Sequence, residues 1–311
     1  MGGTKLLAGA VDSGLSVHHR VQRSMSRLDQ SYLLDVVVEA VEETRDGAGG
    51  EIDAVGFGIP SLIDQRTGNA VVAVNLPLKN IQFQDVMAER LGLPVFVDND
   101  ANLAALAEHR AGAARGCNEA VVITLGTGIG GGLILGGRLY RGAVGAAAEL
   151  GHMVIDMNGP PCQGNCPNHG CFESLASGTA LAREALRIAR ERPDSGLGRA
   201  LAAGRELQGP LVSELAHDGD AAAIETIELI GTRVGVAIAS FVNIFNPEVV
   251  VIGGGVIGAG ERLLNAARAE MLARALPPSR DIVEIVPAAF GVEAGMIGAA
   301  ALAFDGLKEQ S

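Results

Sequence analysis

The chain has 311 residues, 48% of them hydrophobic, and a formal net charge of −12. That length suffices for two domains with substantial cores, and the acidic balance argues against a nucleic-acid surface while leaving anionic nucleotides open to local capture by backbone amides. Aromatic residues are 3% and tryptophan is absent, so the core is expected to be Val, Ile, Leu and Ala, as in sheets covered by helices.

Leu6 to Val11 reads as a strand and Val17 to Arg23 as a second. Leu33, Val36, Val37, Ala40 and Val41 recur at helical spacing and predict a helix over Tyr32 to Thr44. Ala54 to Pro60 is a buried strand ending in a turn, Ala70 to Val74 another strand, and Phe83 to Leu91 a helix. Pro94 to Val97 is a short strand that delivers Asp98-Asn99-Asp100 at its carboxyl end, ahead of a helix over Asn102 to Ala113. This alternation predicts an α/β fold. Around Gly112 to Asn118 the pattern restarts, which puts a boundary between a small lobe, residues 1–115, and a larger one, 116–292.

In the second part Ala120 to Leu125 is a continuous apolar strand, followed by the glycine run Gly126 to Gly132, then Leu133 to Leu135, a Gly136-Gly137 turn and Arg138 to Tyr140. Helices are expected over Leu175 to Arg190 and Asp220 to Asn246, and a strand over Glu248 to Ile252. A helix opened by Gly253 to Gly260 ends near Ala275, a strand covers Ile282 to Val286, and a last helix runs from Glu293 to Ala303. Gly, Asn and Pro interrupt the apolar runs and no signal peptide is visible, so a cytoplasmic protein without a membrane span is expected.

Gly126-x-Gly128-x-x-Gly131 has the dinucleotide spacing, but that fingerprint needs a helix directly after it. Here a strand and a Gly-Gly hairpin follow. Strand, glycine turn, strand describes a backbone-amide cradle for phosphate around Gly126, Thr127 and Gly128. Gly253-x-Gly255-x-x-Gly258 does lie between a strand and a helix, yet no acidic residue ends the next strand to bind a ribose. A nucleotide whose phosphates and base are held by separate loops is favoured over a dinucleotide or simple tight turns. Asp98-Asn99-Asp100 enters a helix, where an aspartate often serves only as a cap. Phosphoryl transfer to an alcohol, however, needs a carboxylate to accept the hydroxyl proton, which makes Asp100 the candidate base and Asn99 a partner for the same substrate.

Soft ligands concentrate between Glu149 and Glu173. His152, Cys162, Cys166 and Cys171 form a Cys3His set suited to tetrahedral Zn2+. Pro160, Pro161, Pro167 and several glycines separate these ligands, so the segment is a loop without a core of its own, and a metal would clip it together. Disulfides or unconnected cysteines are the alternatives; the short spacings favour metal. Glu149 and Glu173 bracket the ligands, so closing the loop would bring carboxylates and an imidazole together. Cys117 reads as an ordinary reduced thiol.

Gly2-Gly3-Thr4-Lys5, Asp98-Asn99-Asp100-Ala101-Asn102, Leu125 to Gly132, Glu149-Leu150-Gly151-His152, the cysteine segment with Cys171-Phe172-Glu173, and Ile252-Gly253-Gly254-Gly255 together resemble the ROK family (repressors, open reading frames, sugar kinases), and within it bacterial glucokinases. The resemblance spans essentially the whole chain. It implies an actin-like, ribonuclease H-like fold of two lobes closing on sugar and ATP-Mg2+, with the final helix, 293–311, returning to the first lobe. It implies Asp100 as base, sugar hydroxyls on Asn99, Glu149, His152 and Glu173, and nucleotide on Gly3, Thr4, Lys5, Gly126, Thr127, Gly128, Gly254 and Gly255. His152, Cys162, Cys166 and Cys171 are implied to hold a structural zinc, and a homodimer is expected. The implied activity is phosphorylation of the 6-hydroxyl of glucose, the entry to glycolysis. N-acetylmannosamine, N-acetylglucosamine, fructose or allose are alternative acceptors, polyphosphate an alternative donor, and a non-catalytic sugar-sensing regulator the alternative of another class.

The sequence departs from the family pattern in three places. The family's Cys-x-Cys-x4-Cys has here a first spacing of three residues, which singles out Cys162; Ser61 follows Pro60 where the family often has Gly; and the family's first strand and an Asp normally precede Gly-Gly-Thr-Lys, whereas this chain starts inside that motif. The expectation is that the reading frame extends upstream of Met1.

Overall fold

The computed structural model describes residues 1, 5–25, 29–64, 67, 69–73 and 76–310. The chain forms two compact units: Met1–Gly116 with Gly132–Ala148 and Ala289–Ser311, and Cys117–Gly131 with Glu149–Ala288. Residues 132–148, which the sequence pattern groups with the second lobe, pack with the first.

In the first unit β1 (Lys5–Val11) pairs antiparallel with β2 (Val17–Ser24). The helix α1 (Gln30–Gly47) is capped by Asp29, whose carboxylate accepts from the Tyr32 amide at 2.9 Å, and it buries Leu33, Val37 and Ala40 at helical spacing. Strand β3 (Val55–Ile59) is followed by a small antiparallel sheet of β4 (Ser61–Asp64), β5 (Asn69–Ala73) and β6 (Lys79–Ile81). The predicted strand over Ala70 to Val74 is β5; Val74 itself, like Gly3 and Thr4 of the predicted phosphate loop, lies outside the described residues. The helix α2 (Phe83–Leu91) stops at Gly92 (φ 65°), and β7 (Val95–Asn99), parallel to β3, runs directly into α3 (Asp100–Ala111). Leu33, Phe57, Phe83 and Met87 fill one core, with Phe57 and Phe83 edge to face at 5.3 Å.

The second unit is built on β8 (Ala120–Leu125), a strand buried on both faces as its unbroken apolar run predicts. Strand β9 starts early, at Ile129–Leu135, so three of the glycines assigned to a turn belong to the strand. It carries the chain into the first unit, where it pairs with β10 (Arg138–Leu139). The helix expected over Leu175 to Arg190 is two, α4 (Phe172–Ala176) and α5 (Gly178–Glu191), because Ser177 takes an extended conformation and caps α5 through the Ala180 amide. Two further helices, α6 (Gly196–Ala202) and α7 (Gly209–His217), lead to α8 (Ala221–Phe245). By length and composition α8 could cross a membrane, and 56% of its most apolar 18-residue window is buried.

Strand β11 (Val249–Gly253) lies parallel to β8, with Gly253 opposite Thr124. After it come α9 (Glu261–Arg274), packed on α8, and a single turn, α10 (Ser279–Ile282). The strand expected over Ile282 to Val286 begins two residues later, as β12 (Glu284–Pro287), parallel to β11.

The last helix, α11 (Ala294–Gln310), belongs to the first unit and lies along α3, with Leu103 and Leu106 against Ala299 and Ala301. Contact is close enough that a Cβ on Gly298 would fall 1.8 Å from the Leu103 carbonyl oxygen. Gly298→Ala is therefore expected to push α11 off α3 and to lower stability by about 1–3 kcal/mol, read as a lower denaturant midpoint at unchanged slope.

Candidate functional site

At the carboxyl end of β7 the first unit concentrates polar groups. Asn99 is the N-cap of α3: its side-chain oxygen accepts from the amides of Ala101 (2.9 Å) and Asn102 (3.2 Å), while its Nδ2 donates to the Ser61 carbonyl at 3.3 Å. Capping thus falls to Asn99, and Asp100 occupies the first helical position, half-buried. Burial pushes the Asp100 carboxyl above the usual carboxylate range.

Asp98, to which the sequence assigns no role of its own, is fully buried and holds the arrangement in place. Its Oδ1 accepts from the Asn99 amide (2.7 Å) and Asn102 Nδ2 (3.0 Å), and its Oδ2 accepts from Arg141 Nε at 2.6 Å. The Arg141 partner comes from the 132–148 segment, 43 residues away, so no local pattern could reveal it. Asn102 Oδ1 is buried without a partner among the described residues.

In the second unit the loops after β8 and β11 stand side by side at the carboxyl ends of adjacent parallel strands, where α/β sheets characteristically take up ligands. Gly126, Thr127 and Gly128 form a tight turn closed by the Gly126 amide donating to the Gly128 carbonyl at 2.9 Å, with Thr127 exposed at the tip. Gly254 (φ 89°) and Gly255 are exposed at the end of β11, and a Cβ on Gly254 would collide with the Leu125 backbone at 2.4 Å. Such a turn presents amides to an anion without side-chain interference. The turn following β11 is a single 3-10 segment, Gly255–Ala259, before α9 begins, and the one after β8 leads into a strand; neither has the direct strand-to-helix passage of a dinucleotide loop. Lys5 opens β1 in the first unit and is exposed.

The Gly126–Ile129 loop is held from α4 and α5. The Ile129 amide donates to Glu173 Oε2 at 2.7 Å, the Gly178 amide to the Gly126 carbonyl at 2.8 Å, and the Thr179 hydroxyl to the Thr127 carbonyl at 2.8 Å. The break at Ser177 therefore frees the Gly178 amide for the loop. On its other side Ile129 meets the turn Leu150–His152, packed so tightly that a Cβ on Gly151 would lie 2.3 Å from the Ile129 carbonyl oxygen. Glu149 and His152 flank this turn, half exposed, with Glu149 Oε2 and His152 Nε2 3.9 Å apart.

The other ring nitrogen of His152, Nδ1, faces the cysteines, 3.5 Å from Cys162 Sγ. Ligand atoms of His152, Cys162, Cys166 and Cys171 all lie within 4.8 Å of one another. Cys162 joins the group despite its longer spacing, because residues 163–166 form a turn, the Cys166 amide donating to the Gln163 carbonyl. Burial, and then the neighbouring Cys171 and Cys166 thiols, push the Cys162 thiol up to about 12, the behaviour of thiols crowded together where a cation is their natural counter-charge. The loop is further tied to α5 by Gln163 Nε2 donating to Ser177 Oγ at 3.0 Å.

The family model of the ROK family matches residues 1–305. The glucokinase of Thermotoga maritima is 35% identical over 305 residues, covering 97% of this chain and 95% of that protein. The xylose repressor of Bacillus spizizenii is 28% identical over 291 residues, covering 94% and 71% respectively. A solved ROK family glucokinase from Streptomyces griseus, in complex with glucose and AMPPNP, matches with a TM-score of 0.87 at 33% identity, over 98% of this chain and 97% of that one. The chain belongs to the ROK family, and its fold is the actin-like, ribonuclease H-like two-lobed fold of ROK sugar kinases.

Asp98→Ala would leave the buried Asn102 amide and the partly exposed Arg141 guanidinium without their shared partner. It is expected to lower stability by about 1–3 kcal/mol in a urea titration, because Asp98 is fully buried, whereas Asp305→Ala at the partly exposed Arg110 ion pair should change it by less than about 1 kcal/mol.

Proposed function

We propose that the protein is an ATP-dependent hexose kinase acting on the 6-hydroxyl of glucose. The observation that carries this reading is the pair of glycine turns at the ends of β8 and β11, the first of them bonded directly to a carboxylate of a sugar-ligand type, Glu173. The glucose and AMPPNP held by the Streptomyces griseus relative support it. In this reading Gly126, Thr127, Gly128, Gly254 and Gly255 receive the phosphates of Mg2+ATP, together with Lys5 and the loop residues Gly3 and Thr4. Asn99, Glu149, His152 and Glu173 take the sugar hydroxyls.

Asp100 accepts the proton of the 6-hydroxyl as its oxygen attacks the γ-phosphorus. The bond from that phosphorus to the bridging oxygen breaks, and ADP leaves with the electron pair. A carboxylate whose pKa burial raises suits this role, since it binds the transferred proton more firmly than an ordinary one. Zinc held by His152, Cys162, Cys166 and Cys171 would supply a structural clip and no step of the reaction. It would fix His152 through Nδ1, leaving Nε2 for a hydroxyl.

A second reading, a sugar-sensing regulator, is favoured by the similarity to xylose repressors. The two part at catalysis: an ADP-release assay across a panel of glucose, fructose, allose, N-acetylmannosamine and N-acetylglucosamine, with ATP or polyphosphate, yields turnover for a kinase and sugar binding alone for a regulator.

Asp100→Asn is expected to reduce turnover by roughly a hundredfold or more with far less change in the sugar dissociation constant; turnover within a few-fold of the parent would remove Asp100 from the role of base. Because only the ionised base works and its pKa is raised, kcat/KM should fall as the pH is lowered through a value above the ordinary carboxylate range. Protein purified without added metal should contain about one zinc per chain by mass spectrometry of the metal, and Cys162→Ser should lower both zinc content and sugar affinity.

A further inference from the structure

Glu173 stands at a junction. It lies in the first turn of α4, whose start is anchored by the Phe172 amide donating to the Met153 carbonyl at 2.8 Å and by a bridge between Cys171 and Val154. Of the three groups from α4 and α5 that hold the Gly126–Ile129 loop, two are an amide and a hydroxyl of α5; Glu173 is the charged one. Its Oε2 is committed to the Ile129 amide, and its Oε1 has no hydrogen-bond partner among the described residues. The loop comes this close because residue 128 lacks a side chain: a Cβ there would sit 2.3 Å from Oε2 and 3.1 Å from Cδ. Across the same peptide, the Ile129 carbonyl abuts Gly151 in the turn that carries Glu149 and His152.

We propose that Glu173 couples the two substrates, one oxygen holding the glycine loop through the Ile129 amide and the other receiving a sugar hydroxyl, so that each substrate raises the affinity for the other. The proposal rests on the kinase reading above. A hydroxyl donating to Oε1 stops rotation of the carboxylate, and a fixed carboxylate keeps Oε2 aimed at Ile129. The loop is then ordered before the phosphates arrive, and its ordering cost is met once for both ligands. By linkage the effect is reciprocal: nucleotide that orders the loop orients Glu173 for sugar.

Calorimetric titration of glucose with and without Mg2+-AMPPNP tests this in the wild type and in Gly128→Ala. The backbone of residue 128 is not in the left-handed region, so alanine is compatible with the turn, and its methyl must displace the Glu173 carboxylate. In the wild type AMPPNP should tighten glucose by about fivefold or more. In Gly128→Ala, glucose affinity without nucleotide should fall by about tenfold, on the scale of a hydrogen bond to a charged group, and the tightening by AMPPNP should shrink to within about twofold.

Hydrogen exchange of wild-type peptides spanning 126–131 gives a readout free of any folding defect in the variant. Glucose alone should slow exchange at the Ile129 amide. Glucose binding that is indifferent to AMPPNP in the wild type, normal glucose affinity in a folded Gly128→Ala, or unchanged protection at Ile129 each overturns the coupling while leaving the kinase reading intact. A wild-type protein that binds no hexose overturns both.

Discussion

The peptide of Ile129 is the constraint on which the polar groups of the second unit depend. Its amide is held by Glu173 and its carbonyl lies against Gly151, so the glycine turn, the start of α4 and the Leu150–His152 turn share one fixed point. A displacement of one is therefore passed to the others, because the peptide is hydrogen-bonded on one face and closely packed on the other. The cysteine loop belongs to the same assembly: Cys171 directly precedes α4, and Gln163 reaches the cap of α5 at Ser177. A loop with so little apolar content is held by these ties.

The first unit solves a different problem, that of holding an acidic side chain in a poorly solvated place. Asn99 takes over the helix cap and Asp98 is neutralised by Arg141, so Asp100 is left to carry a raised pKa by burial. Three neighbouring polar residues thereby acquire three separate tasks: ion-pair anchor, cap and half-buried acid. The packing of α11 along α3 supports this from behind, with glycine at the closest approach.

Kinases and repressors share the ROK fold, so architecture by itself does not choose between them. The choice rests on whether the amide turns and the buried acid act on one reaction.

What the sequence by itself determined is what short-range physics dictates. Helical periodicity marked α1, and the stretches Phe83 to Leu91 and Asp220 to Asn246 contain α2 and α8; the unbroken apolar run marked β8, and the short spacings grouped the cysteines with His152. Tertiary structure alone decided what depends on groups far apart along the chain. Ser177 breaks an apparently continuous helix because the Gly178 amide is needed by the Gly126 carbonyl 52 residues earlier. The turn is confined to Gly126–Gly128, closed by their own hydrogen bond, and glycines 130–132 extend as strand β9. Residues 132–148 join the first unit, where Arg141 meets Asp98. Periodicity reports which face of an element is buried but not against which partner, and an ion pair or a shared amide has no spacing to betray it.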